Sequence, residues 1–249
     1  MNLYFDIINL DSVNSTNDYA KIFISKNSNY IKDKIIIIST KNQTNGRGQK
    51  NNIWASEPNK NVTISLIIKN PPVEPSNVFI ISKITSLAII KTLQILAPYN
   101  QVNIKWPNDI LLNKKKIAGI LIENFFSNNI ISYSIIGIGI NVNQTTFPDF
   151  KLKPTSLKLE TTKEYDIETI INNLLENFLQ YYNQIKLSNK TIDDKYLNYL
   201  YGIHKELSFI YNNKVISAKI VNVDNFGKLI LKVENSIISA NFKEIEFLF

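Results

Sequence analysis

The sequence predicts an α+β fold followed by a small β-barrel. Two observations support the larger part: β-branched apolar runs such as residues 34–40 alternate with segments whose apolar residues recur at helical spacing. A third supports the barrel, because after Gly202 the pattern changes to four short strands divided by Asn-rich turns. We therefore predict a main domain over residues 1–201 and a β-barrel over residues 202–249.

The first half of the chain is predicted to supply two helices and two strands. Residues 15–18 carry side-chain oxygens that can cap free N–H groups, so a short helix should run from there to about Lys26. Residues 34–40 form a buried strand, and alternate apolar residues over 62–68 form one face of another. Asn77 is expected to cap a long helix that ends near Pro98.

The second half continues with strands, helices and then strands again. Short apolar runs separated by polar turns over residues 102–142 predict an antiparallel meander of three strands. Helical spacing over residues 167–185 predicts a long helix, and a second should cover 191–200. The four strands predicted for the barrel are 207–211, 214–221, 228–234 and 236–240.

The composition excludes several kinds of catalytic site and binding partner. The chain of 249 residues has no cysteine and one histidine, His204, which removes disulfides, thiol nucleophiles and thiolate metal sites and nearly excludes a histidine-based triad. The net charge of +7 comes from scattered lysines, so no sequence-specific DNA binding is expected. No signal peptide or membrane-spanning apolar run is present. We expect a cytoplasmic protein that does not bind membranes.

The loop over residues 43–54 (QTNGRGQKNNIW) is the first segment that can carry chemistry. Gly46 and Gly48 let backbone N–H groups approach a ligand, Arg47 can bind an anion, and Trp54 offers a flat surface for a ring. A phosphate and an aromatic base suit these groups. Taken alone, however, a Gly-Arg-Gly loop is more often an ordinary turn.

A second segment is Lys105-Trp106-Pro107-Asn108-Asp109, between two predicted strands. Its lysine stands at a strand end, where an inward ammonium needs an anionic partner. The simpler interpretation is a surface lysine before a turn.

Two glycine-containing strands complete the set. Gly119 lies in KIAGILIE, and Gly137 and Gly139 lie in GIGINVN, where they leave room for a ligand. Asn141 can bind an amide or a base edge. The alternative for both strands is close packing without a ligand.

In this order and spacing, the motifs resemble those of the biotin-protein ligases. The residues concerned form Ser-Thr-Asn, Gln-x-x-Gly-Arg-Gly with a downstream Trp, Lys-Trp-Pro-Asn-Asp, Lys-Ile-Ala-Gly-Ile and Gly-Ile-Gly-Ile-Asn, within residues 4–145. The resemblance implies a class II synthetase-like mixed sheet flanked by helices, followed by an SH3-like barrel. It also implies that ATP and biotin form biotinyl-5′-AMP, with Mg²⁺ accompanying the ATP, and that biotin then passes to a lysine of a biotin carboxyl carrier protein.

The resemblance implies roles for individual residues. Those implied at biotin are Ser15, Thr16, Asn17, Gln43, Gly46, Arg47, Gly48, Lys105, Gly119, Gly137 and Gly139. Those implied at ATP or the adenylate are Arg47, Gln49, Trp54, Lys105, Asn108 and Asn141. Lys105 resembles the lysine that bridges the biotin carboxylate and the α-phosphate, and it is the one expected catalytic residue. No metal ligand is implied.

The chain departs from the family pattern at two places. Relatives usually follow Gly-Arg-Gly with another arginine, whereas this chain has Gln49, Lys50, Asn51 and Asn52, so weaker retention of the adenylate is expected. The first motif begins at Ser15, which leaves no room before it for the helix-turn-helix of bifunctional members. A monofunctional ligase without a repressor role is expected, and a homodimer is compatible with the sequence.

Two alternatives stay open at this stage. A lipoate-protein ligase uses related adenylate chemistry on a related scaffold, although the tryptophan-bearing loop and Lys-Trp-Pro-Asn-Asp favour biotin. A non-catalytic module that holds biotin or a carrier domain is the other, and Lys105 argues against it. An octanoyl-transferase of this superfamily would need a cysteine, and the chain has none.

Overall fold

The computed structural model describes residues 4–31, 34–49, 52–187 and 189–248, so Lys50 and Asn51 of the predicted adenylate loop lie outside the described residues. The strands are β1 (Tyr4–Val13), β2 (Lys34–Gln43), β3 (Asn61–Lys69), β4 (Val102–Lys105), β5 (Asp109–Leu112), β6 (Lys115–Ser127), β7 (Ile130–Asn141), β8 (Glu206–Tyr211), β9 (Lys214–Val223), β10 (Leu229–Val233), β11 (Ser236–Ala240) and β12 (Ile245–Phe247). The helices are α1 (Thr16–Asn27), α2 (Ile80–Leu96), α3 (Leu157–Thr161), α4 (Ile167–Gln184) and α5 (Asn189–Tyr199).

A seven-stranded sheet forms the larger part of the molecule. Its strand order is β1-β2-β3-β7-β6-β5-β4. Strands β1 and β2 pair in parallel and all other neighbours are antiparallel, which confirms the predicted mixed sheet. The prediction of three strands in the meander was wrong, because β4 and β5 are two short strands joined by the Pro107-Asn108 turn. Strand β1 was not predicted, since it is an edge strand with no fully buried residue and has no continuous apolar run.

The central strands are buried on both faces of this sheet. Along β2, Ile35 and Ile37 belong to the core beneath α2 and α4, whereas Ile36 and Ile38 belong to the core beneath α1. Successive side chains of a strand point to opposite faces, so a strand covered on both sides needs a continuous apolar run. This packing explains the uninterrupted isoleucines of β2.

The sequence predicted some of the residues that cap helices or form turns correctly and others wrongly. The Ser15 side chain accepts a hydrogen bond from the backbone N–H of Asp18 at 3.4 Å, which confirms it as the cap of α1. Asn77 does not cap α2: it lies in a 3₁₀ turn (Pro75–Asn77), and Phe79 precedes the helix without a side-chain bond. Both residues of the Asn113-Lys114 turn have positive φ, as a tight two-residue hairpin requires.

A five-stranded antiparallel sheet stands at the position of the predicted barrel, with strand order β11-β10-β9-β8-β12. Four of its strands match the predicted ones. Strand β12 was missed because it has only three residues and follows a turn instead of a polar loop.

The two sheets share a continuous apolar core. The Trp106 ring packs on Phe242 at 5.3 Å between centroids, and its Nε1 donates to the Gly227 carbonyl at 2.8 Å. The Lys83 ammonium, whose side chain is 3% exposed, bonds Asp193 at 2.8 Å and lies 3.5 Å from the carbonyl oxygen of Val223. These contacts connect β9 and the β9–β10 turn to the larger part of the molecule. The domain boundary between residues 201 and 202 stays a prediction.

No helix in the described ranges is long and apolar enough to cross a membrane.

We predict that Trp106→Phe lowers the free energy of unfolding by about 1–3 kcal/mol, because a buried carbonyl loses its donor while most ring contacts are kept. Urea unfolding followed by circular dichroism measures the change. The matched control is Trp54→Phe, since Trp54 Nε1 is buried without a hydrogen-bond partner among the described atoms. Equal losses in the two variants would contradict a role for the Gly227 bond.

Candidate functional site

Three glycines on neighbouring strands form the floor of the main pocket. Gly119 of β6 pairs with Gly139 of β7, and Gly137 pairs with Leu121 two residues along the same strands. Their missing side chains open a pocket on one face of the sheet. Residue 135 lies on the same face and packs beneath α1, so the helix covers this face next to the pocket. The N-terminus of α1 and the loop after β2 close its sides.

A polar network lies at one wall of the pocket; it consists of Thr16, Asn17, Gln43 and Ser65. Gln43 Oε1 accepts from the Thr16 backbone N–H at 2.9 Å. Ser65 Oγ lies 2.7 Å from Thr16 Oγ1 and 2.6 Å from Asn17 Oδ1. Asn17 Nδ2 is 2.9 Å from Glu123 Oε2, which fixes the orientation of the amide.

Hydrogen-bond directions in the polar network follow from these partners. Asn17 Nδ2 faces only acceptors, so Asn17 Oδ1 must accept and the Ser65 hydroxyl must donate to it. Thr16 Oγ1 lies 2.7 Å from Ser65 Oγ and 3.3 Å from Gln43 Oε1, and one of its lone pairs is left for a ligand. Gln43 Oε1 is already occupied, so its amide N–H groups are the donors. The wall therefore has an acceptor at Thr16, and Gln43, which also lines the pocket, has its donor Nε2 beside Gly46.

The Trp54 indole lies inside this pocket, against the glycine floor. A Cβ built on Gly139 would come within 2.4 Å of Trp54 Cε2, and one on Gly119 within 3.0 Å of Cζ3. Open space in the pocket is about 130 Å³, below the roughly 300–1,000 Å³ of drug-sized sites. A ligand that uses the floor must therefore displace this ring or stack on it.

A lysine and an aspartate form the opposite wall. Lys116 Nζ is 2.7 Å from Asp109 Oδ1 and 5.6 Å from the centroid of the Trp54 ring. The Lys116 backbone is held by hydrogen bonds to residues 153 and 155. This ammonium is positioned to meet an anionic group that enters between Trp54 and Asp109.

At the mouth of the pocket, the carboxylates of Asp18 and Glu123 form ion pairs with two further cations. Arg47 bonds Asp18 and lies 4.0 Å from Glu123, and Lys21 bonds Glu123 at 2.7 Å. Glu123 also accepts from Asn17, so it couples this cluster to the polar network. Arg47 is partly exposed, and an entering anion can compete for it with Asp18.

Most of the residues implied by the resemblance meet in this pocket. Those that line it are Ser15, Thr16, Asn17, Gln43, Arg47, Gly48, Gln49, Trp54, Asn108, Gly119, Gly137 and Gly139. Asn108 also donates from Nδ2 to the Ile120 carbonyl at 2.8 Å, so part of its role is to hold β6. Gly46 lies behind the wall, where a Cβ would come within 2.4 Å of the Trp54 carbonyl oxygen.

Lys105 and Asn141 do not line the pocket. The neighbour of Lys105, Ile104, faces the core, so the lysine points away from it into an adjacent cleft, 3.7 Å from Asp109. Burial, and secondarily the Lys116 charge, lower the pKa of Lys105 although Asp109 opposes the shift. Asn141 is buried, donates to the Thr155 carbonyl at 2.9 Å and has an unpaired Oδ1 among the described atoms.

Several residues of the site, among them Lys116, Asp109 and Ser65, were not predicted from the sequence to take part in it. Lys116 begins one of the motifs named above and Asp109 ends another. The β-bulge between Ile110 and Leu111, which brings these two residues together, cannot be predicted from the sequence of a turn. Ser65 lay in a run that predicted only a buried strand. A buried serine at an inward position of such a strand is the signal that could have identified it.

The described residues contain no group of three or more His, Cys, Asp and Glu side chains arranged to hold a metal ion.

Comparison with known proteins gives consistent matches. Residues 10–141 match the model of the Biotin/lipoate A/B protein ligase family. The Bifunctional ligase/repressor BirA of Bacillus spizizenii is 30% identical over 244 residues, which cover 96% of this chain and 73% of that protein. BirA of Bacillus subtilis is 32% identical over 208 residues, covering 82% of this chain and 63% of that protein. The structure of biotin protein ligase from Aquifex aeolicus in complex with biotin and ATP has a TM-score of 0.78 at 24% identity and 97% coverage of both chains, which shows a common fold.

We predict that Gly139→Ala drives the Trp54 indole out of the pocket, because the new methyl group would overlap it. Trp54 fluorescence should then shift to longer wavelength and be quenched more strongly by acrylamide, while Trp106, 2% exposed, contributes a constant signal.

Gly137→Ala is the matched control for this experiment, since the atoms nearest to its new methyl group belong to Asn17. Unchanged Trp emission in Gly139→Ala would show that the indole does not occupy the floor in solution.

Proposed function

The chain belongs to the biotin/lipoate A/B protein ligase family, and we propose that it is an ATP-dependent biotin–protein ligase. In the first half-reaction biotin and ATP give biotinyl-5′-AMP and pyrophosphate. In the second, a lysine amine of a biotin carboxyl carrier protein attacks the mixed anhydride and releases AMP. Mg²⁺ enters as part of the nucleotide substrate.

The polar network is the observation that carries the choice of biotin as the acid. Its wall offers a lone pair from Thr16 Oγ1 beside the amide donors of Gln43. The ureido ring of biotin presents the complement, an N–H beside a carbonyl oxygen, on an otherwise apolar bicycle. A buried polar wall is costly to leave unpaired, so it favours this head group over an apolar one.

The first half-reaction needs a fixed positive charge where the carboxylate meets the α-phosphate. Negative charge builds on the phosphoryl oxygens as the carboxylate attacks, and a preorganised ammonium stabilises it. Lys116 lines the pocket and Lys105 does not, so we assign this role to Lys116. Asp109 holds the Lys116 ammonium in place at 2.7 Å.

The second half-reaction requires the activated carbonyl to be shielded from water until the carrier lysine arrives. Trp54 lies over the glycine floor and is the group that can cover the intermediate. The partly exposed Arg47 can exchange Asp18 for a phosphate oxygen of the adenylate. No side-chain nucleophile is required.

A lipoate-protein ligase is the nearest alternative, because the family model includes both acids. Lipoate and octanoate carry no hydrogen-bonding head group that could pair with the wall formed by Thr16 and Gln43. A ligase for either acid would leave the Thr16 lone pair and the Gln43 amide N–H groups without a ligand partner.

Several properties of the proposed enzyme stay predictions from the sequence. They are a cytoplasmic location, the absence of sequence-specific DNA binding, compatibility with a homodimer and faster loss of the adenylate because of Gln49. The same holds for the contact between Asn141 and adenine, which the unpaired Asn141 Oδ1 supports because it can accept from an exocyclic amine.

The function is tested by measuring pyrophosphate release from ATP with biotin, lipoate or octanoate as the acid. We expect pyrophosphate release with biotin and none with lipoate or octanoate. Release with lipoate or octanoate but not with biotin would overturn the assignment of the acid. Biotin binding without pyrophosphate release would instead identify a non-catalytic module.

We predict that Lys116→Gln slows biotinyl-adenylate formation by roughly 10²- to 10³-fold, as expected for loss of one preorganised transition-state contact. Single-turnover formation of biotinyl-5′-AMP measures the rate. Lys114→Gln is the control, because that lysine stands in the exposed β5–β6 turn. A folded Lys116→Gln protein with a normal rate would exclude Lys116 from the reaction.

A further inference from the structure

Thr155 lies between the two strands that carry the chemistry of the proposed reaction, and it is 1% exposed. Its backbone N–H donates to the Lys116 carbonyl at 2.8 Å. Its own carbonyl accepts from Asn141 Nδ2 at 2.9 Å. One residue therefore holds β6 at the lysine assigned to the reaction and β7 at the asparagine expected to contact adenine.

The bond from Asn141 to Thr155 decides which atom of the amide is offered to a ligand. A carbonyl oxygen only accepts, so Asn141 Nδ2 must be the atom that faces Thr155, and Oδ1 is left for other contacts. Asn141 Oδ1 is the buried acceptor without a partner among the described atoms. If the Thr155 carbonyl moves, the amide can turn over and present a donor in place of this acceptor.

The Thr155 side chain is held in turn by Glu160 of α3. Thr155 Oγ1 lies 2.6 Å from Glu160 Oε1. The same carboxylate accepts from Lys115 Nζ at 2.9 Å and from Asn113 Nδ2 at 2.8 Å. Burial raises the pKa of Glu160, but the hydrogen bonds from these three partners outweigh burial and hold it below its ordinary value. An ionised carboxylate only accepts, so the Thr155 hydroxyl donates to it.

Glu160 fixes the chain on both sides of the reacting lysine. It binds Lys115, which directly precedes Lys116 in β6, and Thr155, which bonds across to the Lys116 carbonyl. The Glu160 side chain is 8% exposed, so water competes little for these bonds. A shift of this one carboxylate would therefore move the Lys116 ammonium and the Asn141 amide together.

From this arrangement we propose that Thr155 and Glu160 are positioning residues for the formation of biotinyl-5′-AMP. The inference rests on the proposed function. Neither residue lines the main pocket, so both act through Lys116 and Asn141 and not through contact with a substrate. A misplacement of about 1 Å far from the chemistry can cost roughly 10²-fold in rate, so this support can matter as much as a direct contact.

A matched control for Thr155 is a buried hydroxyl that serves packing only, and Thr92 of α2 is one. Its side chain is fully buried, donates to the Ala88 carbonyl at 2.9 Å and lies 3.0 Å from Asn177 Nδ2. It belongs to the core between α2 and α4, on the face of the sheet opposite to the main pocket. Thr92→Val should therefore lower the Tm and leave the reaction rate unchanged.

The test compares these variants in the full-length protein. Thr155→Val should slow single-turnover formation of biotinyl-5′-AMP by roughly 10- to 100-fold at saturating biotin and ATP. The Kd for biotin, measured by calorimetry, should stay within about twofold of wild type, because residue 155 is not part of the polar network. Thr155→Ser, which keeps the hydroxyl, should restore most of the rate. Glu160→Gln should lower the rate as Thr155→Val does, because one amide oxygen cannot serve three donors.

A second measurement follows nucleotide recognition. Purine riboside 5′-triphosphate lacks the exocyclic amine of ATP, so wild type should use ATP roughly tenfold better, as expected for one hydrogen bond to a buried acceptor. Thr155→Val should lose most of this preference, because Asn141 Oδ1 is no longer held in place. No preference in wild type, or an unchanged preference in Thr155→Val, would overturn the inference.

The rate measurements can contradict the inference independently. A normal rate in folded Thr155→Val, or equal rate losses in Thr155→Val and Thr92→Val, would show that Thr155 contributes to stability only. Loss of biotin binding in parallel with the rate would also overturn the inference, because the polar network would then depend on the same support. A wild-type protein that forms no biotinyl-5′-AMP would overturn the proposed function instead.

Discussion

Burial of the central strands on both faces is the constraint on which the rest of the structure depends. The sheet is covered by α2 and α4 on one side and, over its central strands, by α1 on the other, so little surface near its centre is free for a ligand. Glycines on neighbouring strands make space beside α1 without breaking the ladder. The polar residues of the site follow from this choice, because every donor and acceptor placed there must be paired by the protein or by the ligand.

The pairing divides the site into two electrostatic regions. Around Thr16 and Ser65 the bonds are between neutral groups with fixed directions, which suits recognition of a head group. Around Asp109 the bonds are between charges, and two lysines share one carboxylate. The orientation of a ligand is therefore set at one end of the pocket, and negative charge is stabilised at the other.

The sequence predicted the fold class, most elements and most of the pocket lining. Those predictions succeeded where the signal was local, as for the Ser15 cap, the isoleucines of β2 and the glycines of β7. It was less successful where tertiary geometry decides the outcome. Asn77 resembled a helix cap but lies in a 3₁₀ turn, and β12 was too short to recognise. The expected catalytic role of Lys105 stays a prediction, and which of Lys105 and Lys116 faces the pocket depends on a β-bulge and on strand alternation, which motif spacing does not reveal.

The hydrogen bond from Trp106 to Gly227 places the anchor of the smaller sheet within the turn that separates the two cavities. Lys105 and Asp109 flank this anchor, so any group that fixes either side chain also restricts the residue between them. Occupation of the site should therefore reach β9 and β10 through the backbone, without a ligand atom near those strands. Amide hydrogen exchange in the smaller sheet would then slow when substrates bind, and the strands would act as a remote reporter of occupancy.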